Sequence, residues 1–276
     1  MNIKYIGIKF EECVKGLVTL FFFRNRILIN HCVEENAGDS FNKYFLEKKY
    51  LKKTSKYTFG SLAHYIFCGS IITRSNVHSI VLGAGFISEE ASLRKVNYKK
   101  VIGVRGKKTL EALRKFDHDL NVNFLGDPGL LSREIISPRT EENHEGLIGI
   151  IPHFVDYDFV LKNIACEKFH VIDIKKDYVT VCEEILKCKS ILSSSLHGLI
   201  FSDAMNVPNV WVKFSEKVKG GTFKFEDYYS VMSNPKEMPI ICESISDIEH
   251  AETYSSVSVN HDYDKMLNAI NGCFND

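Results

Sequence analysis

Ile191-Leu-Ser-Ser-Ser-Leu-His-Gly-Leu-Ile-Phe-Ser-Asp-Ala-Met-Asn-Val-Pro-Asn-Val-Trp-Val212 reads as strand, polar turn, helix and second strand, and it sets the fold class of the chain. Ile191 and Leu192 end a short buried strand. Ser193, Ser194 and Ser195 then offer N-cap hydroxyls for a helix over 196–205, stopped by Asn206 and Pro208. The apolar run 210–212 follows at once, so the helix crosses between two parallel strands of one sheet. The strand-to-helix turn then lies at the carboxyl edge of the sheet, where ligands of open α/β sheets bind. Free backbone N–H groups and the helix dipole favour an anion there, and serine hydroxyls add donors. His197 is therefore expected beside an anion site. A histidine in a first helical turn also reads as a capping or packing residue, and three serines before a helix are ordinary capping chemistry.

Working outward, the same alternation recurs. Residues 27–31 predict a strand, and the polar turn 34–39, with Asn36, Gly38 and Asp39, opens an amphipathic helix over 40–48. Apolar runs at 65–72, 79–86 and 100–104 predict buried strands, and Arg105-Gly-Lys-Lys-Thr109 leads into a helix over 110–116. Phe124-Leu-Gly-Asp-Pro-Gly-Leu-Leu131 closes this half. The polar stretch 132–145, with Pro138, predicts a linker. A second block starts at Gly146-Leu-Ile-Gly-Ile-Ile151 and continues with Pro152, His153, a helix over 156–163, a strand over 169–173 and a helix over 178–187. Further strands are expected at 3–8 and 17–23, and a last helix over 262–273 crossing back onto the first block. The fold class is α/β, two facing Rossmann-like domains about a central cleft, with boundaries at 1–140, 145–240 and a tail of 241–276.

Composition narrows the function. The 276 residues are 45% hydrophobic and 25% charged, as in ordinary globular proteins. Lys plus Arg and Asp plus Glu both total 35, so no global field steers the chain toward nucleic acid or an anionic membrane. The 8 cysteines form no C-x-x-C pair and do not cluster with histidine along the chain, which argues against a zinc site or a disulfide framework and for reduced thiols in a cytoplasmic protein. The apolar run 16–23 is shorter than the ~20 residues that span a bilayer, and no cleavage site follows it.

Five polar sites fall at predicted strand ends. They are Asn36 with Asp39, Arg105, Asp127, His153, and Ser194 with His197. Arg105 reads equally as a bidentate clamp for phosphate or carboxylate and as a surface arginine. Asp127, before Pro128, reads first as an Asx-turn. His153 and Asp156 suit either a substrate hydroxyl or a helix cap. Gly83-Ala-Gly85 permits close backbone approach to a ligand but lacks the third glycine of a dinucleotide fingerprint. Lys217-Val-Lys-Gly-Gly221 is a basic loop able to close over an anion, or a flexible turn.

The order of these pieces carries a resemblance. Asn36-Ala-Gly-Asp39, Gly69-Ser-Ile, Gly83-Ala-Gly-Phe-Ile-Ser-Glu89, Val104-Arg-Gly-Lys-Lys-Thr109, Gly126-Asp-Pro-Gly-Leu-Leu131, Ile151-Pro-His-Phe-Val-Asp156, Ser193-Ser-Ser-Leu-His-Gly-Leu-Ile-Phe-Ser-Asp-Ala204, Pro208-Asn-Val-Trp-Val212 and Gly221-Thr-Phe-Lys-Phe-Glu-Asp-Tyr-Tyr229 together resemble the polysaccharide pyruvyl transferase family, in its bacterial exopolysaccharide branch, over residues 34–232. The resemblance implies a glycosyltransferase B-like fold, with the acceptor on the N-terminal side and the donor on the C-terminal side. It also implies transfer of the enolpyruvyl unit of phosphoenolpyruvate to two hydroxyls of one sugar, with release of phosphate.

By motif, His197 matches the histidine of the Leu-His-Gly signature and Arg105 the arginine of the Arg-Gly motif. Many relatives outside that branch carry an arginine two places before that histidine, where this chain has Ser195. Lys213 or Lys219 is the expected replacement. His197 is the expected acid, with Asp39 or Asp127 accepting the proton of the attacking hydroxyl. Ser193, Ser194, Ser195, Arg105, Asn36, Gly85 and His153 are the expected substrate-binding set. The chemistry requires no cofactor and no metal. The expected partners are phosphoenolpyruvate and a sugar or lipid-linked oligosaccharide, the latter implying peripheral contact with the inner membrane face. A nucleotide-sugar glycosyltransferase, or an inactive sugar-binding relative, is the alternative.

Overall fold

A computed structural model describes residues 26–31, 36–57, 61–140 and 146–275. The expected strands at 3–8 and 17–23 lie outside the described residues. The first half forms one parallel sheet of short strands, β1 (Ile27–Ile29), β2 (Thr54–Lys56), β3 (His64–Ile66), β4 (Ser79–Leu82), β5 (Lys100–Val104) and β6 (Phe124–Leu125), in the order β2-β1-β3-β4-β5-β6. The second half forms another parallel sheet from β7 (Leu147–Ile151), β8 (Phe169–Val171), β9 (Cys188–Ser193), β10 (Asn209–Lys213) and β11 (Ile240–Ile241), in the order β11-β10-β9-β7-β8. This architecture is α/β and consistent with Rossmann-like halves. Ile150, Ile191, Leu192, Val210 and Val212 are all buried, the pattern of strands covered on both faces.

The helices are α1 (Ala37–Tyr50), α2 (Glu89–Ser92), α3 (Lys107–Arg114), α4 (Tyr157–Asn163), α5 (Tyr178–Lys187), α6 (Leu196–Ala204), α7 (Phe223–Tyr229), α8 (Ile245–Glu252) and α9 (Tyr263–Phe274). None of the described helices is long and apolar enough to cross a membrane. In each sheet the strand order reverses once, between β1 and β3 and between β7 and β9. Such reversals open a crevice at the carboxyl ends of the strands.

The halves share one core along part of their seam. Phe41 on α1 lies 5.2 Å from the Tyr178 ring on α5 and 5.8 Å from Phe201 on α6. This seam is filled with aromatic rings. The last helix lies on the first half, where Tyr50 Oη donates to Asn271 Oδ1 (2.9 Å) and Lys52 Nζ to the Phe274 carbonyl (2.7 Å).

Several element boundaries differ from the sequence reading. Helix α1 begins three residues before 40, because Asn36 is its N-cap and its side chain accepts from Asp39 N–H. The run 65–72 gives only β3, since the chain bends at Gly69 (φ 119°) and enters a 3-10 turn at Ile72–Arg74. Gly83 (φ 119°) likewise ends β4. Strand β2 went unread because Thr-Ser-Lys lacks apolar alternation. The expected linker is in part structured: a 3-10 stretch, Pro128–Glu134, is followed by Arg139, whose Nη1 donates to the Cys188 carbonyl (2.6 Å).

Candidate functional site

Loops leaving the carboxyl ends of both sheets meet around α6. After β9, the three serines do different work from that expected. Ser193 Oγ donates to the Ile151 and Ser195 carbonyls and accepts from Ser195 N–H, which closes the turn on itself. Ser194 Oγ accepts from His153 N–H at 2.8 Å, tying the β9 turn to the β7 turn across the strand-order reversal. Ser195 occupies the N-cap of α6 but makes no side-chain cap bond. The expected N-cap hydroxyls are therefore absent from α6, because Ser193 is spent within the turn and Ser194 on its neighbour.

Arg105 is not a surface arginine and not an open clamp. Its side chain has 0% exposure, and Nε pairs with Asp227 Oδ2 on α7 at 2.9 Å. Nη1 donates to Ser70 Oγ and Nη2 to the Phe86 carbonyl, both at 2.6 Å. Thr109 N–H and hydroxyl donate to the same Asp227 carboxylate. Gly85 was expected to let a ligand approach. Instead it admits Arg105: a Cβ there would lie 2.6 Å from the guanidinium carbon. The Arg105 charge thus binds the first half to α7.

His197 projects from the first turn of α6 toward the first half. Its ring stacks on Phe201 at 5.6 Å, and its Nε2 lies 3.4 Å from Cys68 Sγ, just past β3. Cys68 Sγ donates to Asp127 Oδ1 at 3.2 Å. Asp127 makes the predicted turn, accepting from Gly129 N–H at 2.9 Å, yet its other oxygen, Oδ2, is buried with no partner among the described residues. Burial pushes the Cys68 thiol well above its ordinary range, with Asp127 adding to the effect. Burial lowers the proton affinity of His197, Asp127 raises it, and Lys224 and Arg105 lower it further.

Gly38 in α1 leaves room for this ring. A methyl there would sit 2.1 Å from His197 Nδ1. In a free helix Gly→Ala stabilises by about 1 kcal/mol. Here the crowding reverses the sign, and we expect Gly38→Ala to lower the thermal midpoint through a net loss of about 1–2 kcal/mol. A raised midpoint in calorimetry would show that the ring is not held against α1.

Lys224 is the residue that sequence reasoning missed. It lies on α7 between Phe223 and Phe225, is only 8% exposed, and its ammonium has no carboxylate partner among the described residues; it lies 5.3 Å from the Phe225 ring centroid. Burial, then the Arg105 charge, pulls its pKa down to about 8. Burial, then Lys224, takes His153 down to about 4, so that imidazole is neutral at pH 7. The available signal was a lysine inside an aromatic helix, Phe-Lys-Phe, where a solvated charge has no place.

Beside this group a pocket of about 160 Å³ is lined by Ser194, Trp211, Lys213, Ser215, Thr222 and Phe225, among others. Lys213 reaches it but is paired with Glu216 at 2.6 Å. Lys219 is exposed in the turn that Gly220 and Gly221 make with positive φ, and does not line the pocket. Asn36 and Asp39 are bonded to each other at the start of α1 (2.5 Å). Asp156 accepts from Ser215 Oγ, so it braces the β7 and β10 loops and does not cap α4 through its side chain.

Two parallel sheets, with a buried lysine, two imidazoles and serine turns gathered where their carboxyl edges meet, define the class as an α/β protein. The sequence profile described as polysaccharide pyruvyl transferase matches residues 25–215, and the chain belongs to that family. It is also 36% identical over 217 residues, 75% of each chain, to "Uncharacterized protein L143" of Acanthamoeba polyphaga mimivirus. Family membership supports a transferase acting on polysaccharide.

Proposed function

We propose that this chain moves the enolpyruvyl unit of phosphoenolpyruvate onto two hydroxyls of one sugar of a surface polysaccharide or its precursor, forming a cyclic ketal on a glycosyltransferase B-like pair of lobes. Within the family, the observation that carries the reading is Lys224. A buried ammonium without a counter-ion is costly, and an anionic ligand at the Ser194 and His153 turns supplies the missing charge. Phosphate and carboxylate need two differently oriented sets of donors. Lys224 with the Ser194 turn serves one, and the N–H groups at the start of α6 serve the other. Arg105 acts by holding α7, and with it Lys224, in place.

The proton balance is simple. Of the two hydroxyl protons lost by the sugar, one ends on the methylene carbon, which becomes methyl, and one on the departing phosphate. His197 delivers the proton to carbon, and the negative donor, arriving beside Lys224 and Arg105, favours a protonated ring. Asp127, one oxygen of which has no hydrogen-bond partner among the described residues, is our first candidate for accepting a hydroxyl proton, and Asp39 is the second. A cytoplasmic setting suits this chemistry, and a lipid-linked acceptor would bring the chain to the inner membrane face.

Thermal unfolding tests the donor. Phosphoenolpyruvate at 100 times its Kd should add about 2.7 kcal/mol of stability, and a nucleotide sugar should add none. The reverse pattern would replace this reading with a glycosyltransferase, and sugar binding with no phosphate release would make the chain an inactive relative.

Lys224→Met should weaken donor binding on the order of 10- to 100-fold. The pH dependence has a definite sign. The donor's last phosphate ionisation falls near pH 6 on the phosphoserine scale, and His153 titrates at about 4, so above pH 7 neither changes charge. The donor binds the protonated form of Lys224, whose pKa in the free protein is about 8. The protonation of His197 that donor binding favours adds a decline at lower pH, and above about pH 8 loss of the Lys224 proton should lower affinity by as much as about tenfold per pH unit. Lys224→Met should abolish that slope in calorimetric titrations, and an unchanged slope would remove Lys224 from the site.

A further inference from the structure

We propose that Cys68, Asp127 and His197 form a binding site for a divalent transition-metal ion, with Zn2+ the best match and a fourth coordination position open. The three residues come from the loops after β3 and β6 and from α6, and their ligand atoms lie within 4.8 Å of one another. Zinc takes thiolate sulfur at about 2.3 Å and imidazole or carboxylate atoms at about 2.0–2.2 Å, so tetrahedral ligand atoms stand roughly 3.3–3.6 Å apart. Cys68 Sγ is 3.4 Å from His197 Nε2 and 3.2 Å from Asp127 Oδ1. The third pair, His197 and Asp127, lies within 4.8 Å, so the carboxylate must turn toward the ring to close the triangle.

An independent observation points to a ligand. Asp127 Oδ2 is fully buried with no hydrogen-bond partner among the described residues, an arrangement that native proteins rarely leave unfilled. Thiolate and carboxylate together carry two negative charges, so a divalent ion makes the buried unit neutral, whereas a bare thiolate beside a carboxylate would be strongly disfavoured. Metal binding displaces the thiol proton. The mix of one sulfur, one nitrogen and one oxygen excludes Mg2+ and Ca2+, which take oxygen ligands, and suits zinc. His197 is the partly exposed member and gives the ion its route in. Lys224 and Arg105 oppose the ion by charge and leave the fourth position suited to an anion. If His197 is the proton donor assigned above, the bound ion withdraws it from turnover.

Cobalt tests the site without reference to turnover. Titrating the full chain with Co2+ under a non-thiol reductant should give a thiolate-to-cobalt charge-transfer band in the near ultraviolet and the visible bands of tetrahedral cobalt, both removed by Zn2+. Cys68→Ser should lose the charge-transfer band with its circular dichroism unchanged, and His197→Gln should weaken cobalt binding at least tenfold. Cys182→Ser, at a buried thiol outside the cluster, should keep the band. Absence of a charge-transfer band at millimolar Co2+, or its persistence in Cys68→Ser, overturns the proposal. Either result leaves the donor experiments above unaffected, and their failure leaves the cobalt spectrum unaffected.

Discussion

His197→Gln is expected to lower acceptor-dependent phosphate release from phosphoenolpyruvate by about 10²–10⁴-fold, the usual worth of a positioned acid. The fold should survive. The ring stacks on Phe201 and touches Cys68, and glutamine keeps a polar group of similar reach there, so the thermal midpoint should move little. The pattern of the loss separates two roles. An acid acts only in the transition state, so its removal lowers kcat and kcat/KM together; an electrostatic anchor acts on donor binding and raises the donor Kd. We expect the first pattern, with Lys224→Met showing the second. A folded His197→Gln variant with near-native turnover would remove His197 from the chemistry.

Asp227→Ala should be the most damaging change to stability. It strips the partner from a guanidinium with 0% exposure, and breaking a buried pair on one side costs about 3–5 kcal/mol. At roughly 2–4 °C per kcal/mol for a chain of this size, the midpoint should fall on the order of 10 °C. The same carboxylate also holds Thr109 N–H and hydroxyl. The backbones close on each other at this point, where a Cβ on Gly106 would meet the Asp227 carbonyl oxygen at 1.8 Å. The double change Arg105→Met with Asp227→Leu should lose less than Asp227→Ala alone, because no buried charge is left uncompensated. Calorimetry on the three proteins decides it, and a single variant within 1 kcal/mol of wild type would show that the pair does not hold the halves together.

The sequence by itself determined the alternation of strands and helices, the parallel sheets and the position of the histidine at the start of α6. These are local matters: apolar runs of strand length, capping residues and prolines act within a few residues of themselves. Ile191 and Leu192 could only end a buried strand, and Pro208 could only end a helix. The ordered motifs likewise sufficed for the family. Tertiary structure alone decided what each polar side chain does. Arg105 looked available because its partner, Asp227, is 122 residues away. Gly85 looked like a ligand contact because the guanidinium that fills its space comes from the turn after β5, 20 residues further along the chain. Cys68, Asp127 and His197 showed no metal spacing along the chain because two separate loops and α6 bring them together. Lys224 looked like any surface lysine in a count of charges, and only the packing of α7 removes it from water. Burial and charge pairing depend on distances through space, and those are set only once both sheets are folded against each other.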